Sequence, residues 1–226
     1  SRGYSQLPKA PEDLPPTYTS SSLNSTIVDD NFNTAYNIRA VRWWGIELQG
    51  GYISCDRGNR AFEITIYNDN AGVPGDVVND TIVVPHRTAT TRVLSDGSAP
   101  AYAEYQYEAN LSATVLFLSG WISIRGINDT DCAFAWEAAQ PSDGVAYYSV
   151  SGSALSALGD DVAFCLSNVP IAGGEGEGEG VAADESPPRA ASGSSSSKSI
   201  SILRLISSAL ASSGRCVKQP QFPRCF

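Results

Sequence analysis

The sequence predicts an all-β protein: a two-sheet antiparallel β-sandwich of jelly-roll type, with an extended N-terminal arm and a low-complexity C-terminal tail. Three observations lead to this fold class. Apolar and polar residues alternate with a period of two in short stretches between residues 26 and 170, as in half-buried strands. Clusters of Asp, Asn, Gly and Pro separate these stretches. No stretch between them has the helical period.

Residues 1–25 are predicted to form the arm. The segment "LPKAPEDLPP" contains four prolines, which favour an extended polyproline conformation. The polar segment "TYTSSSLNST" that follows tolerates a β conformation. The arm is therefore either a frayed terminus or an extended strand that pairs with a partner.

Residues 26–170 are predicted to form the sandwich. In "RAFEITIYND", Phe62, Ile64 and Ile66 alternate with polar neighbours, and "YAEYQYEA" shows the same alternation. Further strands are expected in "IRAVRWWGIEL", "TIVVPHRTATTRVL", "GWISIRGI", "CAFAWEAA", "GVAYYSV" and "DVAFCLSN". Eight or more short strands with turn signals between them are typical of a sandwich.

Residues 171–197 are rich in Gly, Glu and Ser, which indicates a linker without a core of its own. Residues 198–226 follow as a short apolar and basic segment with a cysteine loop. The alternation in "SKSISILRL" favours a strand, whereas the spacing of Ile202, Ile206 and Leu210 favours a short amphipathic helix.

Charge is distributed unevenly along the chain. Residues 26–170 contain seven arginines, no lysine and seventeen acidic residues, whereas residues 187–226 contain six basic residues and no acid. An acidic body repels phosphate, so nucleic acid is not an expected partner. No apolar run is long enough to span a bilayer, so no membrane span is predicted.

Five segments of the body together resemble a β-sandwich module of secreted, surface-sorted bacterial proteins, over residues 28–168. These segments are "DDNFNTAYNIRAVRWWG", "FEITIYNDNAGVPGDVV", "YEANL", "CAFAWEAAQPSDGVAYYSV" and "DDVAFCLSN". The resemblance implies a binding or structural module and carries no catalytic residues with it.

The five cysteines are expected to form disulfides, because no CxxC pair is present and His86 is the single histidine. We expect Cys132 to pair with Cys165 and Cys216 to pair with Cys225. Cys55 is then left as a buried thiol or an intermolecular bridge, unless this pairing is wrong. Disulfides indicate an extracellular or cell-surface location. The sequence also lacks methionine, as expected of a chain whose targeting segment has been removed.

No catalytic constellation is found, so we expect a protein that is not an enzyme. His86 has no motif-linked nucleophile. Glu104 and Glu108 lie on one face of a strand, roughly 13 Å apart by the strand rise. That separation suits neither glycosidase geometry, and we interpret the face as solvated.

No cofactor is predicted, apart from a structural calcium ion held by oxygen ligands in the sandwich loops. The candidate calcium ligands are Asp69, Asp76, Asp129 and Asp131. Trp44 and Trp121 are candidate platforms for stacking on sugars. Four Asn-x-Ser/Thr sequons mark candidate glycosylation sites at Asn24, Asn79, Asn110 and Asn128.

Together these features predict a non-enzymatic extracellular structural subunit. Its sandwich self-assembles through the terminal arms into a surface fibre or filament, with copies of itself as partners. The alternative is a secreted carbohydrate-binding or adhesion module that is tethered by its tail and has glycans as partners.

Overall fold

The computed structural model describes residues 4–9, 16–50, 53–95, 101–116, 119–140, 143–151 and 153–171. This part of the chain consists of strands and connections, without a helix. The strands are β1 (Tyr4–Pro8), β2 (Thr17–Thr19), β3 (Thr26–Asn33), β4 (Ile38–Gln49), β5 (Ile53–Ser54), β6 (Phe62–Asp69), β7 (Pro74–Val83), β8 (His86–Leu94), β9 (Tyr102–Val115), β10 (Ser119–Gly126), β11 (Ala133–Glu137), β12 (Ala139–Gln140), β13 (Ala146–Val150), β14 (Ser156–Ala157) and β15 (Phe164–Ser167).

The strands form two antiparallel sheets that pack against each other, which confirms the predicted β-sandwich. One sheet has six strands in the order β14–β13–β3–β10–β6–β7. The other has nine strands, and β4 pairs there with β15, β11, β9 and β5. Several consecutive strands lie in different sheets, as β3 and β4 do, so the chain repeatedly crosses the sandwich.

The core lies between the sheets and is built from the alternating residues. Trp43 stacks on Tyr107 with 5.5 Å between ring centroids. The Phe62 ring meets Trp43 and Phe134 edge to face at 5.2 and 5.0 Å. Each such pair contributes about 0.5–1.5 kcal/mol beyond the burial of its area. The aromatic cluster therefore fixes how the two sheets register on each other.

Strand β4 is buried on both faces, which explains its almost continuous apolar sequence. Trp43 points into the core, and Trp44 packs on the opposite face of the sheet. A Cβ atom at Gly45 would lie 2.3 Å from the Ala135 carbonyl oxygen and 2.5 Å from the Phe134 ring. Glycine is thus required here for β4 to approach β11 closely.

The N-terminal arm contributes two strands to the nine-stranded sheet. β1 pairs with β15 and β12, and β2 pairs with β11. Of the predicted linker and tail, only Ile171 belongs to the described residues. The rest of the linker and all of residues 198–226 lie outside them. Within the described part, no helix has the length and apolar character needed to cross a bilayer.

The observed disulfide corrects the predicted cysteine pairing. Cys55 bonds to Cys132 with a Cα–Cα distance of 5.9 Å, so the expected Cys132–Cys165 pair is wrong and Cys55 is not a leftover thiol. Cys165 is also disulfide-bonded. The remaining cysteines, Cys216 and Cys225, lie outside the described residues. Sequence spacing could not identify the pair, because the partners are 77 residues apart and are brought together by the fold.

Non-reducing peptide mapping is expected to recover this disulfide. Cleavage before aspartate separates Cys132 from Cys165, so residues 30–55 should be found linked to residues 131–142. The double variant Cys55→Ser/Cys132→Ser should lose about 2–5 kcal/mol of unfolding free energy, measured by denaturant titration. A fragment 131–142 linked to fragment 161–183 instead would contradict the structure.

Candidate interaction surface

The six-stranded sheet ends at β7, which pairs with β6 and with no other strand among the described residues. Alternate residues of β6 point into the core, beginning with Phe62. The residues between them face away from the core. Two of these, Glu63 and Tyr67, lie opposite Ile82 and Val77 of β7. Two apolar side chains, Val77 and Ile82, therefore occupy the outward face of this edge strand, on either side of the exposed Asp80.

These side chains are well exposed. Ile82 is 65% exposed and Val77 is 58% exposed, and Val78 and Val84 add further apolar surface beside them. Proteins usually protect sheet edges with lysines, prolines or bulges. β7 has a bulge at Val78 and begins with Pro74, but it contains no lysine. We call the exposed edge of β7, with Val77, Val78 and Ile82, the β7 edge.

At the N-terminal edge of the nine-stranded sheet, β2 ends the strand order and β1 lies between β12 and β15. Both N-terminal strands run along the same side of residues 135–140. The Lys9 amide donates a hydrogen bond to the Ala138 carbonyl oxygen at 3.1 Å, and the Ala138 amide donates to the Pro16 carbonyl oxygen at 2.9 Å. Ala138 therefore bonds both to the residue that follows β1 and to the residue that precedes β2.

Polar side chains fasten this N-terminal edge to the connection before β15. Lys9 Nζ lies 2.5 Å from an Asp160 carboxylate oxygen, and the Tyr18 hydroxyl donates to the same carboxylate at 2.7 Å. Gln6 Nε2 donates to Asp161 Oδ2 at 3.3 Å. The N-terminal edge therefore has a specific polar attachment as well as backbone pairing.

Three aspartates lie beneath the N-terminal edge. Burial raises the pKa of Asp30 well above its ordinary range, and nearby Asp161 and Asp143 raise it further. Burial and Asp143 also raise the pKa of Asp161. Asp30 Oδ2 accepts a hydrogen bond from the Val162 amide at 2.7 Å, and Asp161 accepts from the Asp143 and Val145 amides. The group fixes the connection before β13 and the connection before β15.

A second group of buried charges lies on the outer face of the nine-stranded sheet. Arg92 bridges two buried carboxylates, at 2.5 Å from Glu104 and 3.0 Å from Glu137. Burial, and then the neighbouring Glu104, raise the pKa of Glu137 to about 9. Glu108 is likewise paired with Arg42. The interpretation of this face as solvated is wrong, because arginines cover its carboxylates.

The predicted sugar-stacking tryptophans are both buried, each only 1% exposed. Trp44 packs against Ala139, Ala163 and Cys165. Trp121 donates its indole N–H to Asp69 at 2.9 Å and has a neighbouring tyrosine ring at 5.4 Å. Neither indole offers a face to a sugar, so these residues do not form the expected platforms.

The predicted calcium ligands are not brought together. Asp129 forms a buried ion pair with Arg57, and Asp131 pairs with Arg60. Asp69 accepts from the Trp121 indole N–H and the Gly72 amide. Asp76, near the start of β7, donates its backbone amide to Asn68. Among the described residues, no group of three or more His, Cys, Asp or Glu side chains has an arrangement that could hold a metal ion.

The four sequons have different environments. Asn24 and Asn128 are exposed in loops. Asn79 lies on β7 itself, where its side-chain oxygen accepts a hydrogen bond from the Thr81 hydroxyl. Asn110 exchanges two hydrogen bonds with the backbone of Ile171. A glycan on Asn79 would occupy the β7 edge and exclude another strand from it.

The sequence reasoning missed the Glu104–Arg92–Glu137 group and the β7 edge. Glu137 carried a signal, because it stands within the apolar run "CAFAWEAA", where a charged residue needs a buried partner. The β7 edge carried a weaker one, the apolar residues of "VVNDTIVV". Their exposure depends on which strand ends the sheet, and a single sequence does not specify strand order.

No protein-family model and no curated protein sequence matches this chain.

Glu137→Gln is expected to stabilise the protein at neutral pH. The pKa of Glu137 rises from 4.5 to about 9, so folding takes up a proton between these values. This group therefore lowers the free energy of unfolding of the wild type as pH increases from 4.5 to 9. Glutamine does not titrate, so the variant avoids this loss. The advantage of the variant should grow by up to about 1.4 kcal/mol per pH unit.

Thermal unfolding at pH 5, 7 and 9 measures this effect. Glu108→Gln is the control, because it removes an ion-paired glutamate from the same face. Parallel stability profiles for wild type and Glu137→Gln would contradict the assignment of a buried, protonated Glu137.

Proposed function

We propose that the protein is a non-enzymatic structural subunit of an extracellular assembly, in which copies join into a fibre or filament by strand addition. The observation that carries the proposal is the β7 edge, where exposed apolar side chains accompany the unpaired backbone groups of an edge strand. An added strand would satisfy those backbone groups and cover Val77 and Ile82 together.

The covalent and charge features of the chain support an extracellular setting. The Cys55–Cys132 disulfide is of the kind that persists in oxidising compartments. The body lacks lysine and carries a net charge of −10 over residues 26–170, so repulsion keeps copies apart unless a specific contact forms. Glycosylation of the exposed Asn24 and Asn128 remains part of this proposal.

Contacts between two different edges of the sandwich would leave a free edge at each end of a growing assembly. Contacts of this head-to-tail kind produce an open filament when the rotation between copies does not close. The β7 edge of one copy and the N-terminal edge of the next are the two surfaces that we assign to this contact.

Substitution of the β7 edge is expected to prevent assembly. The double variant Val77→Lys/Ile82→Lys adds two charges to the outward face, where they leave the core intact and oppose strand addition. We expect at least a tenfold increase in the protein concentration needed for assembly, measured by light scattering and electron microscopy.

Leu116→Lys is the matched control, since Leu116 is 73% exposed but lies outside the strands. The proposal fails if wild type remains monomeric at high concentration, or if the double variant assembles as readily as Leu116→Lys. A glycan found on Asn79 of the natural protein would also exclude the β7 edge as the contact.

A further inference from the structure

We propose that β1 is an exchangeable strand, and that residues 4–9 of one copy can occupy the place of β1 in a second copy. This inference rests on the proposed function, because it names the partner and the contact by which the N-terminal arm joins neighbours. It adds to the contact between the β7 edge and the N-terminal edge, and it uses neither β7 nor the side chains of the β7 edge.

The first observation is that the place of β1 has side-chain specificity. The Tyr4 ring packs on Phe164 with 5.5 Å between centroids, and Leu7 packs against the cluster that contains Trp44. Gln6 is buried and donates to Asp161. Backbone pairing gives affinity to an added strand, and such alternating contacts give it specificity.

The second observation concerns the pairing of β1, which lies between β12 and β15 in the strand order of its sheet. Its first half pairs with β15 and its second half with β12, and both contacts are short. Withdrawal of β1 breaks no pairing between the other strands of the sheet. It would, however, uncover Phe164 and the Trp44 cluster, so the vacated place has a strong tendency to bind a replacement.

The third observation concerns the chain on either side of residues 10–15. Lys9 and Pro16 both form backbone hydrogen bonds with Ala138, so these two residues lie close together. The intervening sequence has Pro11 and Pro15, and a polyproline conformation over these residues would separate its ends by roughly 20 Å. A connection of that reach would allow residues 4–9 to enter a second copy while β2 stays in its own sheet.

Exchange preserves the contacts of β1 because the same residues meet the same surfaces in a second copy. Lys9 then pairs with Asp160 of a second copy, and Gln6 with that copy's Asp161. Meanwhile β2 keeps its own pairing with β11, so only the first strand moves. High local concentration favours the exchanged form because it replaces an intrachain contact with an interchain one.

Cross-linking between two full-length variants tests the exchange. Leu7 and Gln140 are register partners, and Gln140 is exposed. Leu7→Cys protein is mixed with Gln140→Cys protein, incubated to equilibrium and treated with a short bis-maleimide. Exchange places the two introduced thiols opposite each other, and we expect at least a fivefold excess of cross-linked dimer over a mixture of Leu7→Cys with Leu116→Cys.

Equal dimer yields in the two mixtures would overturn the inference. Circular dichroism and thermal unfolding of each variant verify that it is folded, and a synthetic peptide of residues 1–9 provides a second measurement. The peptide should compete with exchange and reduce the dimer yield at least threefold, whereas a peptide of the same composition in scrambled order should not.

The same mixture in a Val77→Lys/Ile82→Lys background separates this inference from the proposed function. If cross-linking persists in this background although no filaments form, it supports strand exchange independently of the contact at the β7 edge. Filaments of wild type that form without any cross-linked excess support assembly and overturn the exchange of β1.

Discussion

The buried ion pair between Arg57 and Asp129 holds together the end of the sandwich on which the remaining packing depends. Arg57 Nη2 lies 2.6 Å from Asp129 Oδ1, and both side chains are fully buried. The Arg57 amide also donates to Glu47, and the Ser21 hydroxyl contacts Asp129. The pair therefore joins β4, the crossing after β2 and the loop after β10. Removal of one partner would leave a buried charge unpaired, which typically costs about 3–5 kcal/mol.

The disulfide and this ion pair act on the same two loops. Cys55 and Arg57 belong to the connection after β5, and Asp129 and Cys132 belong to the connection before β11. The covalent bond limits how far the loops can separate, and the ion pair sets their orientation. The guanidinium also lies 4.4 Å from the centre of the Phe62 ring, so the polar junction is continuous with the aromatic core.

The protein buries charged side chains on the nine-stranded sheet and exposes apolar side chains on the six-stranded sheet. On the nine-stranded sheet, Arg92 and Arg42 neutralise carboxylates that the fold has buried. On β7 the opposite arrangement occurs, since Ile82 is exposed although buried positions would suit it better. A free edge with apolar side chains is costly in a monomer and useful in an assembly.

The sequence by itself determined the fold class and most core positions, because period-two alternation at Phe62, Ile64 and Ile66 directly reflects which face of a strand is buried. Adjacent Trp43 and Trp44 likewise had to point to opposite faces. Only the tertiary structure decided which strand ends each sheet, which cysteine meets Cys55, and which carboxylates are buried. These properties depend on pairings between residues far apart in the chain, and local alternation contains no information about strand order.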